Sequence, residues 1–159
     1  MSVQPAETLE RTDQVSPDWV RISMAAAIEL GLKPGKMFRG CRCGCINLLQ
    51  NYPQGCYANC SYCGLARERP GAAEDNSFIR VSWPLYPTDL VAEKIGEADT
   101  RPGGVGRVCI AQVQDGRAYE DLVDMTRRVR AKAPDVPISA LVSSPTLDED
   151  KLAKYRAEL

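Results

Sequence analysis

Apolar positions in this chain change their spacing from block to block, and each spacing predicts an element. In "SPDWVRISMAAAIELG", Trp19, Ile22, Ala26 and Leu30 recur on one helical face. Ser16 suits the cap, Pro17 the first turn and Gly31 the left-handed position past the last turn, so the spacing predicts one helix over 16–31. Residues 1 to about 15 carry no period and read as loose. "INLLQNYP" is a short apolar run ending at Pro53 and reads as a strand. "RERPGAAEDNS" is a polar connection, and "FIRVSWPLY" reads as extended.

Beyond Pro87 the two periods alternate. "TDLVAEKIGEA" predicts a helix, "RVCIAQV" a strand, "AYEDLVDMTRRVRAKA" a helix, "PISALV" a strand and "TLDEDKLAKYRAEL" a helix. Tyr119, Leu122, Val123, Thr126 and Val129 fall at helical spacing, and Thr146 with Glu149 predicts a capping box for the last helix. The two strands are almost wholly apolar, as parallel strands covered on both faces are. Strand–helix alternation implies right-handed βαβ units, an α/β protein with about three such units in an open sheet or part of a barrel. The closing "KYRAEL" holds no Gly or Pro to end its helix, so the chain reads as the N-terminal part of something longer. "RPGGVGR" precedes a strand, whereas a dinucleotide fingerprint follows one, so it is a connection and not a phosphate loop.

Composition narrows the chemistry. The chain has 159 residues, enough for one domain with a real core, and a formal charge of −1 with no basic stripe to meet nucleic acid. No apolar run reaches the ~20 residues that span a bilayer, and "MSVQPAETLERTDQ" is no signal peptide, so a soluble cytoplasmic protein is expected. Histidine is absent, which excludes His-based triads and His-ligated metals. Six of the seven cysteines lie between Cys41 and Cys63, which favours a metal centre over a disulfide framework. The seventh, Cys109, reads as a core residue.

"GCYANCSYCGL" places Cys56, Cys60 and Cys63 on a loop just past the "INLLQNYP" strand. Such a loop can hold zinc, an iron–sulfur cluster or no metal. Only Cys60 and Cys63 have the Cys-x2-Cys spacing of structural zinc sites, so zinc would need Cys41 or Cys45 as a fourth ligand. A cubane held by three thiolates leaves one iron open, which is what metal catalysis requires.

The segment "CYANCSYC" resembles the signature of the radical S-adenosylmethionine superfamily, with Tyr62 at its aromatic position. The resemblance implies that Cys56, Cys60 and Cys63 hold a [4Fe–4S] cluster whose fourth iron is chelated by S-adenosylmethionine. It implies that backbone groups of Tyr62 lie against the adenine. The implied fold is a partial (βα) barrel, with residues 1–35 as an N-terminal extension bearing one helix and 36–159 as the N-terminal part of the barrel domain. The family's Gly-Gly-Glu-like segment reads "CIAQVQDG" here, so Ala111, Gln112 and Val113 would take the cofactor's amino group, or Gln112 simply ends a strand. Ser143, with Ser144, would stand at the barrel mouth as a cofactor or substrate contact, or serve only as a turn.

"CRCGC" sets Cys41, Cys43 and Cys45 at alternate positions, which in extended backbone share one face. The longer stretch from Phe38 to Gly71 is similar to the biotin-synthase-related branch and, within it, to subunits of two-component lipoyl synthases. The triplet itself can hold an auxiliary iron–sulfur cluster, give one cysteine a catalytic or redox role, or be a cysteine-rich loop of no special role, and its spacing departs from that of classical lipoyl synthases. The resemblance implies sulfur insertion into a protein-bound acyl chain. The implied partners are a ferredoxin or flavodoxin as electron donor, a second radical subunit and a lipoyl carrier protein. The rival readings are a related radical enzyme that rearranges a small molecule, and a noncatalytic zinc or iron–sulfur module.

Overall fold

The computed structural model describes residues 13–70, 78 and 81–159. The loose start expected over residues 1–12, the middle of the polar connection (71–77), and residues 79 and 80 of the extended stretch lie outside the described residues. Five strands form one open sheet: β1 (Trp19–Ile22), β2 (Cys45–Gln50), β3 (Leu85–Pro87), β4 (Arg107–Ala111) and β5 (Ile138–Leu141). Among the described residues four α-helices accompany them: α1 (Met24–Glu29), α2 (Thr88–Asp99), α3 (Ala118–Lys132) and α4 (Glu149–Glu158). The spatial order is β3-β1-β2-β4-β5. Strands β2, β4 and β5 run parallel, with Leu48 opposite Ile110 and Val108 opposite Ile138. Strand β1 runs antiparallel to both neighbours, with Val20 opposite Gln50 on one side and Tyr86 on the other.

The main core forms where the apolar side of the parallel strands meets the amphipathic helices. Ile46, Leu48, Val108, Ile110 and Ile138 are buried against Val91 and Ile95 of α2 and Leu122, Met125 and Val129 of α3. Each such side chain contributes about 1.5–3 kcal/mol by leaving water. Helices α2 and α3 pack closely at Gly96, where a β-carbon would stand 2.7 Å from the Lys132 carbonyl oxygen. At the end of α3, the Arg130 guanidinium donates to the carbonyls of Pro134, Val136 and Leu159 at 2.7, 2.8 and 2.6 Å. One side chain thereby ties α3 to the approach of β5 and to the end of α4. Among the described residues no helix is long and apolar enough to cross a membrane.

Two local expectations are corrected. The stretch 16–31 is not one helix. Its first half is β1, in which burial alternates from Trp19 to Ile22 and both edges are hydrogen-bonded to neighbouring strands. Ile22 fits a helical spacing with Trp19 and a period of two with Val20, and β-branched residues fit a strand flanked on both sides. Helix α1 therefore starts after Ser23, whose hydroxyl accepts the Ala26 N–H, and Gly31 does take the left-handed conformation at φ +72°. The last helix is capped by Asp148, which accepts the Lys151 N–H at 2.8 Å. Thr146 belongs to a preceding 3-10 turn, its hydroxyl donating to the Ser143 carbonyl at 2.9 Å, so the Thr146–Glu149 capping box does not form.

Candidate functional site

The motif loop leaves the C-terminal end of β2 beside the C-terminal end of β4, and Gln50 makes that junction rigid. This wholly buried side chain donates to the Ala118 carbonyl at 2.7 Å and accepts the Val113 N–H at 3.1 Å. It thus holds the β4–α3 connection against the root of the loop. Next to it the Tyr52 hydroxyl donates to Asp121 at 2.8 Å, and burial raises both groups above their ordinary values. Gly55, at φ +76°, closes a turn back to the Tyr52 carbonyl, a conformation that glycine adopts without steric cost.

Past that turn the chain is laced to Gln114. The Gln114 N–H points at the Cys56 sulfur at 3.3 Å, and its carbonyl accepts the Tyr57 N–H at 2.9 Å. A second turn carries the other two thiols. Cys63 N–H donates to the Cys60 carbonyl at 3.0 Å, and Leu65 N–H points at the Cys63 sulfur at 3.4 Å. The Arg69 guanidinium folds over this turn and donates to the carbonyls of Cys63 and Ser61, both at 3.3 Å. Below, Cys56 and Leu65 pack on a small apolar cluster that includes Leu49, Tyr52, Trp83 and Val113. Cys56 and Cys63 are half-buried and Cys60 is exposed.

Three thiols on one loop, two of them accepting backbone N–H bonds, are a donor set suited to a thiolate-held metal centre. Among the described residues no three Cys, Asp or Glu side chains converge closely enough to hold a single ion. The loop brings its cysteines to one end of the sheet without gathering them.

The expected cofactor contacts divide. Ala111 and Val113 are buried, and Gln112 is half-buried, its side-chain carbonyl accepting from the Gln114 amide at 3.0 Å. The Gln112 N–H is spent on the Leu141 carbonyl. Tyr62 is 87% exposed. The Ser143 carbonyl closes the turn to Thr146, as a turn residue does. A cavity of about 340 Å³ opens on the sheet face opposite α2 and α3, between Met24, Asn47, Trp83, Ala111 and Leu141.

The "CRCGC" cysteines do not share one environment. Cys41 is exposed. Cys43 packs against the main core, with its thiol directed at the Cys45 carbonyl at 3.1 Å, and burial pushes that thiol up. Cys45 begins β2, and its sulfur lies 3.3 Å from that of Cys109 on β4. Burial, and then the neighbouring Cys109, push the Cys45 thiol up to about 11, so it is protonated at neutral pH. Cys109 itself is half-buried on the sheet face away from α2 and α3, rather than in the core. Sequence reading missed this pair because only the register of β2 on β4 brings it together. It also passed over Gln50, whose signal was a polar residue closing an apolar run.

Glu29 anchors the triplet. Its carboxylate accepts the Cys43 N–H at 3.0 Å and the Arg42 guanidinium at 3.0 Å. The Cys43 N–H first, and Arg42 after it, hold the carboxyl below its ordinary 4.5. A lowered carboxyl adds stability above its ordinary value and loses it as pH falls through the lowered one. Glu29→Gln is therefore expected to speed alkylation of Cys43 several-fold at pH 7, where both proteins are compared at the same pH. Peptide-resolved alkylation rates check this; equal rates would show that Glu29 does not hold the segment.

No family model matches the chain, and no curated protein and no solved structure matches it.

Proposed function

We propose that this chain is a radical S-adenosylmethionine enzyme on a partial βα barrel, of the sulfur-inserting, biotin-synthase-related kind. The observation that carries the reading is Cys56-x3-Cys60-x-Tyr62-Cys63, on the loop that leaves the C-terminal end of β2 in a chain without histidine. Its support is threefold. The loop stands at the carboxyl ends of parallel strands, where ligands of α/β folds gather. The sulfurs of Cys56 and Cys63 accept backbone N–H bonds, as the sulfurs of a thiolate-held cluster do. Leu49, Tyr52 and Trp83 exclude water beneath.

A [4Fe–4S] cluster held by the three motif thiolates would supply the electron for reductive cleavage of S-adenosylmethionine. The chain's part is to hold and orient. Cys56, Cys60 and Cys63 would be the ligands, with exposed Cys60 drawn inward. Ala111, Gln112 and Val113 would present polar groups to the cofactor, with Tyr62 and Ser143 at its edges. Gln50 and Gln114 keep the β4–α3 connection in register with the loop. A ferredoxin or flavodoxin would deliver the electron.

Sulfur insertion adds a demand: Cys41, Cys43 and Cys45 would hold a second cluster, with Cys45 parting from Cys109. A second radical subunit and a lipoyl carrier protein would then be the partners. The test is anaerobic reconstitution of the full chain, with iron and sulfide counted, followed by reductant and S-adenosylmethionine. About four irons per chain and formation of 5′-deoxyadenosine are expected, with about eight irons if the triplet also binds. Four irons alone move the reading to small-molecule rearrangement. Zinc alone, with no 5′-deoxyadenosine, overturns it in favour of a noncatalytic module.

A further inference from the structure

The close approach of Cys45 and Cys109 belongs to neither turn of the motif loop. The pair sits at the opposite end of β2, a strand of six residues, about 16 Å long. Its sulfurs are 3.3 Å apart across two neighbouring parallel strands, on the sheet face turned away from α2 and α3.

A disulfide is the obvious use of two adjacent thiols, and the register argues against it. Cys45 stands opposite Arg107, and Cys109 stands opposite Asn47, so the two cysteines are two residues out of step. Strands spaced about 4.8 Å apart, with a rise of about 3.3 Å per residue, put such α-carbons roughly 8 Å from each other. That exceeds the roughly 7 Å a disulfide can span without backbone movement. A bridging ion extends the reach by two metal–sulfur bonds, and the facing thiols then need to part by only about an ångström.

The choice of ion follows from what surrounds the sulfurs. Among the described residues, the Asn47 side-chain oxygen accepts from the Cys45 thiol at 3.6 Å. Cys43 turns its thiol to the Cys45 carbonyl instead. Zinc asks for four ligands, and a cubane cluster for more thiolate than two residues supply. Two soft sulfurs suit a soft monovalent ion. Two thiolates with one such ion carry a net negative charge, and Arg107, beside Cys45 on β4, offers the balancing positive one.

We infer that Cys45 and Cys109 form a two-thiolate site for a soft monovalent cation of the copper(I) type. Binding replaces the two thiol protons, which pass to solvent, and needs no oxidant or reductant. The inference is independent of the radical reading and competes with its second cluster for Cys45.

The test is anaerobic copper(I) titration against a chromophoric chelator. The protein carries Cys56, Cys60 and Cys63 as alanine, so that the motif loop binds no copper. About one equivalent should bind. Adding Cys45→Ser or Cys109→Ser should weaken binding by more than roughly 100-fold, the scale at which losses beyond the ligands themselves end, while Cys43→Ser and Cys41→Ser leave it unchanged. Copper retained without Cys109, or lost without Cys41 or Cys43, overturns the site. If a serine variant fails to fold, X-ray absorption on the copper-loaded parent decides: two sulfur neighbours support the pair, and three or more exclude it.

Discussion

Replacing Cys56, Cys60 and Cys63 together by alanine is expected to abolish 5′-deoxyadenosine formation and to remove the cluster iron, leaving the fold in place. A cubane with no thiolate ligands is not retained, and without it the cofactor sulfonium receives no electron. The fold should persist because Cys60 is exposed and Cys56 and Cys63 are only half-buried. The loop's shape is also carried by backbone bonds, from Tyr57 to Gln114, Cys63 to Cys60 and Arg67 to Ala58. The structural cost is that the Gln114 and Leu65 N–H groups lose their sulfur acceptors, at about 1 kcal/mol for each bond to half-buried sulfur. Circular dichroism beside the iron count separates the outcomes. An iron centre that survives in a folded triple variant must draw on the four remaining cysteines, Cys41, Cys43, Cys45 and Cys109, and its retention when Cys109 is also replaced would make sulfur insertion the leading reaction. Persistence of 5′-deoxyadenosine in the same variant would exclude the motif as the catalytic centre.

Gln50→Met should be the most destabilising single change near the site. Methionine matches glutamine in length and fills the same space, so the effect isolates hydrogen bonding. The Val113 N–H loses its partner inside a fully buried junction, and the Ala118 carbonyl, on the first turn of α3, is left with its helix bond alone. The unsatisfied N–H costs about 1–3 kcal/mol and the lost second bond about 1 kcal/mol, so the total is about 2–4 kcal/mol. For a chain of this size that is a melting-temperature drop of roughly 4–16 °C. The β4–α3 connection carries Gln114, so its release should also expose Cys56 to alkylation faster than Cys60, which is exposed already. A melting temperature within about 2 °C of the parent would mean that the junction rearranges to repair both bonds.

Much of the chain could be read before folding because the signals were local. Helices α2 and α3 and strands β4 and β5 appear where their spacing placed them, since Val91, Ile95, Leu122, Val129, Val108 and Ile110 leave each segment only one face to bury. Gly31 was legible for the same reason: an αL residue after a helix is a property of one position. The motif loop was legible as chemistry, because three thiols within eight residues are close whatever the fold.

Residues 16–22 were not legible, because Ile22 fits a helical spacing with Trp19 and a period of two with Val20, and only the strands on either side choose between them. The Asp148 cap was hidden by an equally plausible Thr146 three residues from Glu149, and the 3-10 turn decided where the helix begins. The sequence by itself determined the parallel strand–helix succession, the thiol-rich loop and the absence of histidine chemistry. Only the tertiary structure decided which groups meet across the sheet. Gln50 reaches Val113 and Ala118, and Cys45 finds Cys109 rather than Cys41 or Cys43. The physical reason is that spacing encodes which face a side chain takes on its own strand, whereas partners 63 to 68 residues away are set by strand register, which no local period carries.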